Sequence, residues 1–385
     1  MCSAVAKAIF GVNPKQVHTL VPGLLAATGL AVFAMWISTA LGESLLGYDK
    51  SPISSVMIAI LLGLLAGNLV ALPRWIQPGV AFSVKKILRW GIILLGIRLS
   101  FLDVFRLGAV GIPVVLACIA GALAVTSYLA RRLALPPRLG TLIGVGTSIC
   151  GVSAIVAAAP GIDARDEEVA YAVAVITMFG MFATLAYPYI AHALFGGEAT
   201  RIGLFLGTSV HDTSQVTGAA MVYAQVYAAP RALDIAVVTK LVRNVFMVGV
   251  IPLTAVLHAR RSGQNRAGSR PSFYKLLPLF VLGFLLVSLL RSIGDAGLNG
   301  GGRALGLMDT ATWNRVVSGI KDWAGYFLVV ALAGVGLSTR FRHLSQLGIR
   351  PFAVGLVAAL LVGAISYAVV SILTLAGALP DLNPG

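Results

Sequence analysis

The chain has 385 residues, of which 58% are hydrophobic and only 11% are charged. A water-soluble fold of this length needs far more polar surface, so the composition excludes an ordinary soluble domain. The apolar runs do not alternate, which excludes a transmembrane β-barrel. In a membrane protein the net charge of +15 is a topology signal, and we expect a lipid bilayer and no nucleic acid as partner.

The apolar runs predict eleven transmembrane helices. Each run approaches the roughly 20 residues that a helix needs to cross a hydrocarbon core of about 30 Å, although the third and tenth are short. We therefore expect an all-α integral membrane protein with almost no soluble domain. In chain order the predicted spans cover residues 20–40, 53–72, 86–100, 108–130, 139–160, 169–195, 202–228, 232–257, 273–293, 322–339 and 350–378.

Basic residues predict the orientation of these spans. With the N-terminus in the cytoplasm, eighteen Lys and Arg residues fall in inside loops and nine in outside segments, as the positive-inside rule requires. The predicted segments are a cytoplasmic N-terminus at 1–19, helices 1–8 at 20–257, a basic cytoplasmic linker at 258–272, helices 9–11 at 273–378 and a periplasmic tail at 379–385.

Two polar segments interrupt the fifth and seventh spans. Gly146-Thr147-Ser148 in the first segment is echoed by Gly207-Thr208-Ser209 in the second. Repeats of this kind are typical of secondary transporters, which build a midplane site between two related halves. Chance similarity of small-residue helices is the alternative interpretation.

These segments favour two discontinuous helices. Glycine permits unwinding, and the freed backbone N–H groups and hydroxyls can then coordinate a ligand. The half-helix after such a break points its positive end at the midplane, which suits an anion. The alternative is close helix packing, with Ser and Thr bonded to their own backbone. The candidate ligand-binding residues are Thr147, Ser148, Ser153, Thr208, Ser209, Thr213, Ser214 and Gln215.

Ionisable residues in predicted spans are costly and therefore candidates for function. Asp212 is the only acid predicted deep in the membrane, and His211 precedes it. Lys240 and Arg243, with Asn244 beside them, share one face of the next helix by their i, i+3 spacing. Pairing with Asp212 would leave one cation to meet an anionic ligand, whereas a structural salt bridge is the alternative. His211 is either a coupling proton carrier or a hydrogen-bonded structural histidine.

Other chemistries have weaker support. The remaining histidines lie near span ends or in loops, so the His211–Asp212 pair has no further deep metal ligand. The three cysteines are scattered and predict neither disulfides nor a metal site. No Gly-rich ATP-binding motif is present in the sequence. We expect no enzyme activity, no resident cofactor and no metal.

Three motifs carry a resemblance to a known family. Gly-Thr-Ser-Ile-Cys-Gly at 146–151, Gly-Thr-Ser-Val-His-Asp-Thr-Ser-Gln-Val at 207–216 and Lys-Leu-Val-Arg-Asn at 240–244 resemble the YeiH-like bacterial sulfate exporter family. The likeness runs from about Val21 to the last span. It implies a bacterial inner-membrane protein, similar in architecture to cation-proton antiporters and bile-acid symporters. It also implies a core domain of crossing broken helices, a panel domain, and a small inorganic or organosulfur anion as cargo.

The expected function is a secondary transporter that exports a small anion, such as sulfate or a related oxyanion or sulfonate, by alternating access. A proton or sodium ion is the expected coupling ion. Two alternatives stay open at this point: a cation/proton antiporter that uses Asp212 as ion ligand, and an anion channel. A homodimer is an open alternative for the oligomeric state.

Overall fold

A computed structural model describes residues 14–41, 54–70, 72–261, 278–340 and 349–379. These residues are helical almost throughout, and the only β-type pairing among them is an isolated bridge between Ala304 and Met308. The all-helical class predicted from the apolar runs is therefore confirmed.

The structure contains fifteen α-helices within the described ranges. A 3-10 helix at Pro14–Leu20 leads into the first α-helix, and a π-helical turn at Ser83–Ile87 joins α3 to α4. The helices are α1 (Val21–Thr39), α2 (Ser55–Leu69), α3 (Gln77–Phe82), α4 (Leu88–Leu95), α5 (Phe101–Arg132), α6 (Pro137–Ser148), α7 (Val152–Ala158), α8 (Asp166–Phe195), α9 (Ala199–Ser209), α10 (Thr213–Val226), α11 (Pro230–Val245), α12 (Met247–Arg261), α13 (Leu279–Gly301), α14 (Thr310–Ser338) and α15 (Ile349–Leu375).

Within the ranges that the structure describes, six helices are long and apolar enough to cross a membrane. A seventh candidate is the pair α11 and α12, which is bent by 43° at its junction. The other four predicted spans, at 53–72, 86–100, 139–160 and 202–228, fall on shorter helices. The structure therefore supports a multi-pass membrane protein with six to seven candidate spans. The six helices are Val17–Thr39, Phe101–Arg132, Asp166–Phe195, Leu279–Gly300, Thr310–Ser338 and Ile349–Leu375.

One compact unit contains Met1–Phe105 and Leu279–Arg340. In this unit α2 and α14 pack closely through glycines, since a Cβ on Gly63 would lie 2.5 Å from the carbonyl oxygen of Ala333. The two helix ends also cap each other. Asn68 Nδ2 donates to the carbonyl of Thr339 at 2.9 Å, and Arg340 donates to the carbonyl of Gly67. α2 and α14 therefore approach closely where glycines lack side chains, and each helix supplies a hydrogen-bond donor to a terminal carbonyl of the other.

The second compact unit contains Arg106–Pro278 and Phe341–Gly385. Its apolar core is formed chiefly by α6, α7 and α12, with fully buried side chains such as Leu142, Ile143, Ile155 and Ile251. All thirteen predicted binding residues belong to this unit.

The predicted segment boundaries stay predictions, with one detail to add. The basic linker predicted at 258–272 begins inside α12, because this helix continues to Arg261. The remainder of that linker lies outside the described residues, as do 1–13 of the predicted N-terminal segment and 380–385 of the predicted tail.

Candidate functional site

The first helix break lies between α6 and α7. α6 ends at Ser148, and α7 begins at Val152 after three residues that leave the helical conformation. Gly151 has φ 62 and ψ −122, a conformation that is favourable only for glycine. The hydroxyls of Thr147 and Ser148 donate to the carbonyls of their own helix at 2.8 and 3.1 Å. These hydroxyls therefore follow the alternative interpretation of the sequence, while Ser153 is exposed.

The second break lies between α9 and α10. Here too the hydroxyls turn back: Thr208 donates to the carbonyl of Leu204 at 2.7 Å, and Ser209 donates to that of Phe205 at 2.6 Å. Thr208 Oγ1 also shares a hydrogen bond of 2.7 Å with Ser366 of α15. The first hydroxyls of each predicted ligand set thus donate to carbonyls of their own helices.

The helix after the second break is capped by its own residues. Asp212 Oδ1 accepts hydrogen bonds from Ser214 N at 2.9 Å and Ser214 Oγ at 2.6 Å. Gln215 Oε1 accepts from the backbone N–H of Asp212 at 3.2 Å, which completes a capping box. The Gln215 amide also donates to the carbonyl of Thr177 at 3.0 Å. A carboxylate at this position is favourable because the N-terminus of a helix carries a partial positive charge.

Arg243 of α11 joins the two breaks. Its side chain is fully buried. Nε donates to the carbonyl of Ser148 at 2.7 Å, and Nη2 donates to that of Thr147. Nη1 donates to the carbonyl of Thr208 at 2.7 Å and to that of Val210 at 3.3 Å. One planar guanidinium therefore holds the C-terminal ends of α6 and α9 together, which suits its fixed fork of donors.

Lys240 completes the same arrangement from the same helix face. It is also fully buried. Nζ donates to the carbonyl of Ile149 at 2.8 Å, to that of Val210 at 3.1 Å and to that of His211. The last carbonyls of a helix have no partner within the helix and carry a partial negative charge. Lys240 and Arg243 thus neutralise two buried helix ends.

The expected ion pair with Asp212 is not formed. No salt bridge among the described residues joins Asp212 to Lys240 or Arg243, because both cations are directed at the carbonyls that the breaks set free. The Asp212 carboxylate instead lies against the first break, where a Cβ added to Gly151 would come within 3.3 Å of its Oδ2. Asp212 and Thr213 are only half-buried, and Thr213 Oγ1 accepts from Asn244 Nδ2 at 3.1 Å.

Several buried polar atoms at this centre have no protein partner within the described ranges. They are Nδ1 and Nε2 of His211, Oδ1 of Asn244 and Oγ1 of Thr239; a further one, Thr126 Oγ1, lies on α5. His211 is 1% exposed and Asn244 is 2% exposed. Because buried polar atoms in proteins nearly always have a partner, this concentration indicates a place that can accept a hydrogen-bonding occupant.

The sequence therefore predicted where the polar centre lies but not which groups hydrogen-bond to one another there. The predicted residues at the breaks and on α11 do come together, whereas Ser153 is exposed and makes no hydrogen bond with them within the described ranges. Sequence reasoning missed the carbonyls of Ile149 and Val210 and the hydroxyl of Ser366. A serine in an otherwise apolar span was the available signal for Ser366, whereas backbone carbonyls leave no trace in residue type.

The fold and this buried charged centre define a multi-pass helical membrane protein with a polar interior. Comparison with known sequences gives the family. A family model described as conserved hypothetical protein 698 matches residues 22–355, and the chain belongs to that family.

Curated relatives cover most of the chain. A UPF0324 membrane protein of Fusobacterium nucleatum is 31% identical over 306 residues, which are 79% of this chain and 85% of the relative. One from Streptococcus agalactiae is 33% identical over 328 residues, 85% of this chain and 90% of the relative. One from Corynebacterium glutamicum is 30% identical over 352 residues, 90% and 91% of the two chains. The resemblance to the YeiH-like family is confirmed at this family level.

Proposed function

We propose that this protein is a secondary transporter of the bacterial inner membrane, with its N-terminus in the cytoplasm and its C-terminus in the periplasm. In this proposal α6 with α7, and α9 with α10, each cross the membrane as one discontinuous span. The shorter helices α2 and α4 are counted as two further spans, so that with the seven candidates the total is eleven. The observation that carries it is the Arg243 guanidinium, which binds carbonyls of both breaks. Non-helical backbone at membrane depth is tolerated where it is buried in protein or lines a cavity, and transporters use it to build their sites.

The charge of the centre supports a small anion as cargo, such as sulfate or a related oxyanion or sulfonate. Lys240 and Arg243 contribute two buried positive charges. The ends of α6 and α9 offset roughly half a charge each. Asp212 is offset in part by the N-terminus of α10, so the sum is positive. A positive centre with limited access to water attracts an anion.

The way in which the anion is held differs from the one expected from the sequence. All three N–H donors of Lys240 are used in hydrogen bonds to three carbonyls, and most of the five N–H donors of Arg243 are used in the same way. We therefore assign the two cations to the field of the site and assign direct contacts to other groups. These are the Thr213 hydroxyl and the buried side chains of His211 and Asn244, because the N–H groups at the start of α10 already donate to the Asp212 carboxylate.

Flux measurements in proteoliposomes test the proposed transport. Purified protein is reconstituted, and uptake of labelled sulfate is followed under an imposed pH or sodium gradient. We expect sulfate to accumulate against its gradient, and unlabelled sulfonates to compete. Arg201→Ala is the control for variants of the buried cations, because Arg201 is half-exposed and paired with Glu198 at 2.9 Å. Cation flux with no movement of any oxyanion or sulfonate contradicts the anion assignment.

A cation/proton antiporter is the second candidate, and one observation favours it. The half-buried Asp212 carboxylate, the Thr213 hydroxyl and the unpartnered Asn244 Oδ1 place three oxygen ligands near one another. In that case Asp212→Asn abolishes sodium-driven proton flux. In an anion transporter the same variant retains sulfate binding. An anion channel is distinguished from both by conductance without a coupling ion.

A further inference from the structure

His211 is the least satisfied side chain among the described residues. Its ring is 1% exposed, lies in the break between α9 and α10, and has no protein partner at either nitrogen within the described ranges. A neutral imidazole carries one hydrogen-bond donor and one acceptor, so both ring nitrogens of His211 can bind a polar group of a ligand. His192 provides a contrast, since its Nδ1 lies 3.1 Å from the Tyr223 hydroxyl and its ring stacks on Tyr227.

The surroundings of His211 decide what that occupant is. Lys240 donates to the carbonyl of His211 itself, and Arg243 donates to the carbonyl of the preceding residue, Val210. Asp212 follows in the chain, and the Cys150 thiol lies in the facing break. A charged imidazolium would add a third cation to Lys240 and Arg243. An oxyanion removes this obstacle, because it brings both the negative charge and the acceptor oxygens.

We infer that His211 is the residue through which proton and anion are coupled: one ring N–H donates to the bound oxyanion, and the other nitrogen takes up one proton as the anion binds. This inference rests on the proposed anion transport. For each anion that binds, one proton leaves hydronium or a buffer acid in solution and forms a second N–H bond on the imidazole, while no bond of the anion is formed or broken. The linkage is reciprocal, so a lower pH strengthens anion binding as much as the anion strengthens proton binding.

Asp212 is the competing proton carrier. Its Oδ1 is held by two hydrogen bonds from Ser214, and its Oδ2 faces Gly151 of the first break. The Asp212 carboxylate thus caps the N-terminus of α10, whereas the His211 ring makes no capping hydrogen bond among the described residues. The two residues are adjacent, and substitution tells them apart.

Calorimetry of sulfate binding to the purified full chain tests the inference. Affinity is measured from about pH 5.5 to pH 8.5, where sulfate itself does not titrate, and in two buffers of different ionisation enthalpy. We expect uptake of close to one proton per sulfate and an affinity that falls about tenfold per pH unit over the coupled range. His211→Gln should bind sulfate with a pH-independent affinity and no proton uptake. Asp212→Asn and the control His192→Gln should keep the pH dependence.

Other outcomes overturn specific statements. Proton uptake that persists in His211→Gln, or that disappears in Asp212→Asn while His211 is intact, overturns the assignment to His211. Sulfate binding without any proton uptake also overturns it but leaves the proposed anion transport in place. Failure of the unmodified protein to bind sulfate at any pH overturns both.

A second measurement does not require the His211→Gln variant to fold. With ¹⁵N-labelled histidine in the unmodified protein, sulfate should convert one ring from neutral to imidazolium signals near pH 7. The same change should persist in His192→Gln, which excludes His192 as its source. Ring signals that do not respond to saturating sulfate contradict the inference.

Discussion

The two breaks in the second unit share a Gly-Thr-Ser motif but are stabilised in different ways. At the second break, α10 begins with its own capping box of Asp212 and Gln215. At the first break, the N-cap of α7 is Gly151, which supplies no side-chain cap, and the backbone adopts a conformation open only to glycine. The difference teaches that the start of α10 is encoded locally, whereas the start of α7 depends on glycine at one position. Both breaks also depend on the donors of α11.

Removing Arg243 is expected to have the largest effect, because it affects both breaks at once. Arg243→Ala leaves the carbonyls of Thr147, Ser148 and Thr208 without the donor that the structure shows. Each buried unsatisfied group costs about 1–3 kcal/mol, so we expect a loss of several kcal/mol. Thermal unfolding in detergent should show a large fall in Tm, with partial recovery in Arg243→Lys.

Arg201→Ala is the control for this prediction, since its exposed ion pair with Glu198 is worth about 1 kcal/mol or less. Similar unfolding curves for the two alanine variants would mean that the guanidinium does not hold the breaks together.

Lys240→Met is expected to have the next largest effect. The carbonyls of Ile149 and His211 lose their donor, whereas the carbonyl of Val210 keeps its contact with Arg243 at 3.3 Å. The loss of stability should be smaller than that of Arg243→Ala and is again measured by Tm in detergent. A variant that is more stable than the unmodified protein would show that burying the ammonium costs more than its three hydrogen bonds return.

Gly151→Ala examines the first break alone. Its positive φ and the 3.3 Å approach of Asp212 Oδ2 both oppose a side chain, and backbone strain of this kind costs about 1–3 kcal/mol. Gly196 is the comparison, because it has the same φ of 62 but a ψ of 26, which is ordinary left-handed helical backbone, and no atom within 4 Å of an added Cβ. Gly151→Ala should lower Tm more than Gly196→Ala does. Equal effects would mean that neither the ψ of −122 nor the carboxylate opposes a side chain at Gly151.

Asp212→Asn is expected to have the smallest effect on stability. Asparagine caps a helix N-terminus about as well as aspartate, so the unfolding free energy should change by less than about 1 kcal/mol, whereas Asp212→Ala should lose about 0.5–2 kcal/mol. The change in charge should instead alter sulfate affinity. Because the centre becomes more positive, Asp212→Asn should bind sulfate more tightly in calorimetry. Asp163→Asn, at a side chain that is 82% exposed, is the control and should leave sulfate affinity unchanged.

The sequence predicted the fold class and the position of the centre for clear physical reasons. Six of the spans predicted from long apolar runs are long helices in the structure. The polar Gly-Thr-Ser segments lie where two helices end. The i, i+3 spacing of Lys240 and Arg243 correctly placed both side chains on the face that reaches the breaks.

Partner choice could not be predicted in the same way. Arg243 meets Ser148 and Thr208, which are 95 and 35 residues away, and it meets their backbone carbonyls. A carbonyl is identical in every residue, so only the three-dimensional path of the chain decides which ones a cation reaches. The same reason explains why the expected contact with Asp212 was replaced by carbonyl contacts.

The single guanidinium at the junction of α6 and α9 limits how this region can rearrange. Moving either helix end away on its own would leave buried carbonyls without the donor that they have in this structure. In the proposed transport cycle the ends of α6 and α9 would therefore move together as one stiff piece. Access would then change at the borders of that piece, and its interior would keep its geometry throughout.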